Sequence, residues 1–437
     1  MNKDYIEKFT KKYFFDYLII LLLVPCIGML LLCMVALIPR DVIQENIEKS
    51  AEYLNIHNDH FKYSLIKDYR STSVDEIADA NLINIAFYYD SRHPLVSSVK
   101  CGWYVDGAHY NESLLNAVKH NLPPNDNYFR YWHGSLLFIR PMLAIFNIKQ
   151  IYVCLYLIVF GLLMYLVFLL MRNRLKYECL SLLISMLVVN LWVVPMCFEF
   201  TWSFAISFLV SIIVVKRALS NRYETFGTLF LITGMITIYL DFFTTETITL
   251  LIPLLLTLRI RIKKQELENV AFVMKCSLSW IAGYIFMWSS KWVIGILYFG
   301  LDGLKNVLNQ MYIHLSSGHQ MSYIEILSET FKNNVSYLLP IDFGVAPTII
   351  FISIVSLMFV VINRSGRYTL RYPTSNLKLY LIMGLVPYFR YALIIHHSWA
   401  HYFTYRAQAA TVLALCLGAP EIVKTKPSAI YGGGYKR

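Results

Sequence analysis

Between Arg390 and Arg406 the chain reads RYALIIHHSWAHYFTYR, with apolar runs on both sides. His396, His397 and His401 share this stretch with three tyrosines, a tryptophan and the two arginines. Ionisable groups at membrane depth are costly, so they are candidates for function. Arg390 and Arg406, with Arg140 earlier in the chain, carry the planar fork that grips a phosphate or pyrophosphate. His397 and His401 stand four apart and can face one way on a helix; with an acid from elsewhere they suit a divalent ion. Carboxylates able to take a proton from a hydroxyl lie in other stretches. Asp79 and Asp90 sit in a long hydrophilic segment, Asp241 ends an apolar run, and Glu199 and Glu246 sit at short turns beside Phe200 and Thr244–Thr245. Arg130 and His133 belong to YFRYWHG. The plainer alternative is that each acid caps a turn, and that His and Tyr line an aromatic membrane rim without any metal.

Elements that would bring these groups together follow from hydropathy. Of 437 residues, 57% are hydrophobic and 15% charged, against about 25% charged in average chains. Repeated long apolar stretches point to an all-α, polytopic transmembrane bundle. Ten spans are expected, near 16–38, 151–171, 180–194, 202–215, 226–240, 247–258, 272–298, 346–362, 377–395 and 405–417. The polar, basic N-terminus leads into an apolar run with no small-residue cleavage site, which reads as a retained helix. Residues 40–147 form a first extracytoplasmic loop. Within it helices are expected at Val42–Tyr53 and Asp75–Phe87, and an interfacial helix at Ser135–Phe146, too short to cross. A second such loop, 299–344, carries the amphipathic stretch MSYIEILSETF.

Charge tests this topology. With both termini cytoplasmic, the inner turns MRNRLK, KRALSNR, RIRIKK and NRSGRYTLR are all basic, as the positive-inside rule requires. The short outer turns PMCFEF and LDFFTTE carry acids and no Lys or Arg, and all 11 histidines fall on the outer side. The net charge of +11 is thereby accounted for without nucleic acid. The eight cysteines lie mostly in apolar runs and show neither a disulfide framework nor zinc-like spacing.

One N-terminal span, a long first outer loop bearing acids and a surface helix, many further spans and a second outer loop make a plan that resembles the GT-C-like membrane glycosyltransferases, which use polyprenyl-phosphate donors. The resemblance is architectural. It implies a carboxylate of the first outer loop acting as base or metal ligand. In the family this is often a paired acid soon after the first span; here the paired acids are Asp75 and Glu76, with Asp79 nearby, considerably further along. It implies transfer of a sugar from a lipid-phosphate carrier to an extracytoplasmic glycan or lipid acceptor in a bacterial plasma membrane. Asp79, Asp90 and Asp241 are then the candidate bases. Arg140, Glu199, Glu246, Arg390, His396, His397, His401 and Arg406 are the candidate substrate contacts. A divalent cation, Mg or Mn, stays open as cofactor. Two other classes compete: a transporter or flippase of lipid-linked saccharide, which should show internal repeats and midplane polar groups, and a noncatalytic membrane protein of envelope assembly.

Overall fold

A computed structural model of the chain describes residues 3–56, 63–66, 69–107, 109–241, 243–315, 322–338, 349, 368–370 and 374–425. The chain is predominantly helical. Among the described residues, four helices contain stretches long and apolar enough to cross a membrane: Phe15–Ala36 within α1 (Lys3–Ala36), α7 (Ile148–Arg172), α9 (Phe198–Leu219) and α12 (Asn269–Phe299). Between them lie shorter helices: α8 (Lys176–Val188), α10 (Phe226–Leu240), α11 (Ile248–Lys263), α15 (Ser375–Leu393), α16 (Ile395–Ala400) and α17 (Ala409–Ile422). Of the ten expected spans, 346–362 falls outside the described residues, apart from the single position 349.

The long helices are apolar on both sides. On α12 the buried face runs Val273, Cys276, Trp280, Gly283, Tyr284, Met287, Lys291 and Gly295, at helical spacing. The opposite side leaves Val270, Met274, Leu278, Ile285, Val293 and Leu297 exposed, the last by 80%. Helices α1 and α7 do the same through Leu22, Leu30 and Met34, and through Val153, Leu157 and Met164. Contiguous apolar surface on this scale is unusual against water and natural against lipid. Helix α9, by contrast, is buried on nearly every face and forms the centre.

Helices α10 and α12 approach most closely, and glycine is the reason. A Cβ on Gly234 would lie 2.1 Å from the Trp280 carbonyl oxygen, and one on Gly283 2.1 Å from that of Leu231. Small residues that let backbones touch are the usual device of helix packing in lipid.

The bundle has two chemically different ends. At one, the basic turns meet: Lys263 and Arg259 pair with Glu178 at 2.6 and 3.2 Å. Lys264 donates to the Ala218 and Leu219 carbonyls at 2.9 and 2.8 Å, which closes the end of α9. The described residues of 40–147 sit at the other end. There α2 (Arg40–Asn55), α3 (Glu76–Tyr88), α4 (Pro94–Lys100), α5 (Tyr110–Lys119) and α6 (Leu136–Leu143) pack with two short antiparallel ladders. These pair Tyr63–Ser64 with Ser73–Val74 and Gly102–Trp103 with Asp126–Asn127. Helices α13 (Leu301–Leu315) and α14 (Tyr323–Leu338) follow α12 at the same end.

Candidate functional site

Four pieces of chain converge at the loop-bearing end. The first is the start of α3. Asp75 caps it, accepting from the Ala78 amide at 3.2 Å, which leaves its second oxygen 3.9 Å from His401 Nδ1. Asp79, one turn on, points into the core. Its oxygens accept the Tyr152 hydroxyl at 2.5 Å and the Phe198 amide at 2.8 Å. The carboxylate thus satisfies an N–H at the start of α9, one of the four that a helix cannot satisfy internally. Burial pushes the Asp79 carboxyl well above its ordinary range, against the pull of those hydrogen bonds.

The second piece is the YFRYWHG turn, locked in place by the bundle. Trp132 Nε1 donates to the Met287 carbonyl at 2.7 Å, and the Gly134 amide to the Tyr239 carbonyl at 2.8 Å. No side chain fits at Gly134, because a Cβ would lie 2.4 Å from the Tyr239 ring. His133, at φ +52°, donates from Nε2 to the Tyr128 carbonyl at 2.7 Å. Burial lowers its pKa to about 3, so the ring is neutral.

The third piece is the first turn of α9, where Glu199 is 7% exposed. Its Oε2 has no hydrogen-bond partner among the described residues, an arrangement that is costly unless something else is meant to meet it. The fourth is the stretch around α16. The rings of His397 and His401 lie 4.5 Å apart. Arg390 fixes this stretch. It donates from Nε to Glu246 at 2.8 Å and from Nη1 to Ser398 at 2.7 Å, and Nη2 bonds the Phe243 carbonyl.

Two cavities form where these pieces meet. The polar one, about 140 Å³, is bounded by Asp75, Asn81, Tyr128, Glu199, His401 and the apolar side of α3. The apolar one, about 160 Å³, lies between α12 and α13 and is walled by Phe243, Trp288, Trp292 and Met311, with Arg130 as its cation. Tyr131 and His397 line both, so the cavities adjoin across these two side chains. Arg130 is tied to α13 through Asn306 Oδ1, 2.9 Å away.

The residues singled out from sequence therefore divide. Glu199, His397 and His401 line the polar cavity, and Arg390 and Glu246 lie behind it as a buried ion pair. Asp241 is buried and occupied by the Thr244 amide and hydroxyl, at 3.3 and 2.6 Å. Asp90 is on the surface with His93, 2.9 Å away. His396 packs toward Trp399, with ring centroids 6.1 Å apart. Arg140, fully buried, gives its guanidinium to the carbonyls of Val35, Ile38, Ala86 and Tyr89 and so clamps the end of α1 to the end of α3. Arg406 holds the Ser71 and Ser73 carbonyls at 3.2 and 3.3 Å and lies over the Phe200 ring.

Asp75, Tyr131, Trp288 and Trp292 complete the two cavities. Their signals were a paired acid and a Trp–Trp spacing of four on one apolar helix. Among the described residues, no three His, Cys, Asp or Glu side chains converge as a metal site requires.

Fold and site together define a helical protein with candidate membrane-spanning segments and a two-part cavity at the end that carries its long loops. The chain matches no family model, no curated protein and no solved structure.

Proposed function

We propose that this is a multi-pass membrane glycosyltransferase that moves a sugar from a polyprenyl-phosphate carrier to an acceptor on the extracytoplasmic side. In this reading it has ten spans, both termini in the cytoplasm, and works in the envelope glycan synthesis of a bacterial plasma membrane. One observation carries it: a buried carboxylate oxygen with no hydrogen-bond partner among the described residues, Glu199 Oε2, belongs to a side chain lining a polar cavity that adjoins an aromatic-walled apolar one holding an arginine. The apolar cavity suits the first units of a lipid chain. Arg130 meets the phosphate because it lines the apolar cavity; Arg140 and Arg390 serve protein partners, and Arg406 lies over the Phe200 ring with Nη2 on two backbone carbonyls. The sugar and the attacking acceptor occupy the polar cavity.

Glu199 takes the acceptor hydroxyl proton as that oxygen bonds to the anomeric carbon. The bond from that carbon to the phosphate oxygen breaks, and the phosphate leaves with the carrier, its charge held by Arg130. Asp75 and His401 orient the acceptor. Asp79 and Asp241 position the helix starts around Glu199, and Asp90 stays outside the chemistry.

The test is transfer of labelled sugar from a polyprenyl-phosphate pool by the purified protein in lipid nanodiscs. Glu199→Gln should lower turnover by about 100-fold or more, the usual scale for losing a general base, with an unchanged melting temperature. Asp90→Asn should turn over normally. Normal turnover in Glu199→Gln, or loss in Asp90→Asn at matched folding, removes the assignment.

A further inference from the structure

The polar cavity has a charge character that narrows what it accepts. Among the described residues, two carboxylates, Asp75 and Glu199, line it, and no Lys or Arg does. Neither nearby arginine lines it: Arg390 pairs with Glu246 at 2.8 Å, and Arg406 gives Nη2 to two backbone carbonyls, its Nε and Nη1 having no hydrogen-bond partner among the described residues. Arg130 belongs to the adjoining apolar cavity and reaches across to Asn306. Of the histidines in the lining, His133 is neutral and already donates to the Tyr128 carbonyl. His401 stands 3.9 Å from the Asp75 carboxylate, and His397 lies 3.4 Å from Arg390 Nη2.

We infer that the polar cavity seats a sugar ring bearing no negative charge, holds an amino-substituted ring better than a neutral one, and rejects uronic acids and phosphosugars. This rests on the sugar-transfer reading above and names the ring that reading leaves open. Hydroxyls and an ammonium group are donors, and the lining offers carboxylate acceptors for them, including the Glu199 oxygen that no group among the described residues satisfies. A carboxylate or phosphate on the ring would meet carboxyl groups with no Lys or Arg among the described lining residues to receive it. Juxtaposed like charge, or an acid left without a cation, is one means of rejecting a wrong ligand. Asn81 and the Tyr128 and Tyr131 rings supply the neutral remainder of the wall.

Three glycosides with one short alkyl chain and one ring skeleton make the probe: hexyl glucosaminide, hexyl glucoside and hexyl glucuronide. Binding is measured to the full chain in lipid nanodiscs, free of sugar-headed detergent, by saturation-transfer NMR with titration. The expected order is amino above neutral above acidic, with the acidic ring weaker than the amino ring by at least about ten-fold. In Glu199→Gln and in Asp75→Asn the gap between amino and acidic rings should shrink; using both guards against one variant failing to fold. Equal or tighter binding of the glucuronide by the wild type overturns the charge preference while leaving sugar transfer intact. Absence of binding by all three rings overturns the sugar-transfer reading and this inference with it.

Discussion

Arg140 shows how far a residue's type can differ from its task. An arginine near a membrane edge suits a phosphate, yet here one guanidinium serves four carbonyls from two helix ends. Each buried carbonyl deprived of its donor costs on the order of 1–3 kcal/mol. Arg140→Met should therefore destabilise the fold by about 4 kcal/mol or more, read as a lower melting temperature in nanodiscs; an unchanged melt would mean those carbonyls find other donors. Asp79 poses the same question. Asp79→Asn keeps an acceptor for the Phe198 amide and should melt close to the wild type. Asp79→Ala leaves an amide and a hydroxyl without partners and should cost about 2 kcal/mol. His133 adds a pH signature. Its folded pKa, about 3, lies below the ordinary 6.5, so between these values the unfolded chain binds a proton that the folded chain does not. Stability should fall as pH drops through that window, and His133→Asn should flatten part of the slope. An identical slope in the variant would mean that His133 is protonated in the folded protein.

Much of this was beyond reach of the sequence for one physical reason. Arg140 meets residues 35, 38, 86 and 89, and Asp79 meets 152 and 198. No local spacing encodes such partners. Glu199 and the histidines of 396–401 were legible because they are polar groups in an apolar context, a signal carried by composition alone.

At the scale of elements, periodicity was the reliable guide. The helix expected at Asp75–Phe87 is α3 with Asp75 as its cap, and the surface stretch MSYIEILSETF opens α14. Span count was harder to read, because several apolar segments make helices shorter than the roughly 20 residues that cross a bilayer; α10 has 15 residues and α8 has 13. These short helices are held by packing, and the α10–α12 contact is the clearest case. Gly234→Ala and Gly283→Ala each place a methyl within 2.1 Å of the facing backbone oxygen, so each should lower the melting temperature. Both force apart the same pair of helices, so the double variant should lose less than the sum of the singles. Additive losses would show that the two glycines act at independent contacts.

For the whole molecule, the separation of charge between the two ends is the organising fact. Basic turns gather where α7, α9 and α11 end, tied by the Glu178 and Lys264 contacts. The acids and histidines of both cavities gather at the opposite end with the long loops. If the basic end faces the cytoplasm, as the positive-inside rule implies, both cavities open to the extracytoplasmic side, where a lipid-linked sugar is the available activated donor. Orientation is therefore the claim on which the functional reading turns, and it can be measured without knowing the substrate. In a cysteine-free background, Arg222→Cys and Leu267→Cys place single thiols at exposed turns of the basic end, Leu267 being 81% exposed. Asp126→Cys and Asp302→Cys do so at the loop-bearing end. A membrane-impermeant maleimide added to intact cells should label positions 126 and 302 and spare 222 and 267 until the membrane is permeabilised. Labelling of position 267 in intact cells would place both cavities in the cytoplasm, beside nucleotide sugars, and would remove the reason for a lipid-linked donor.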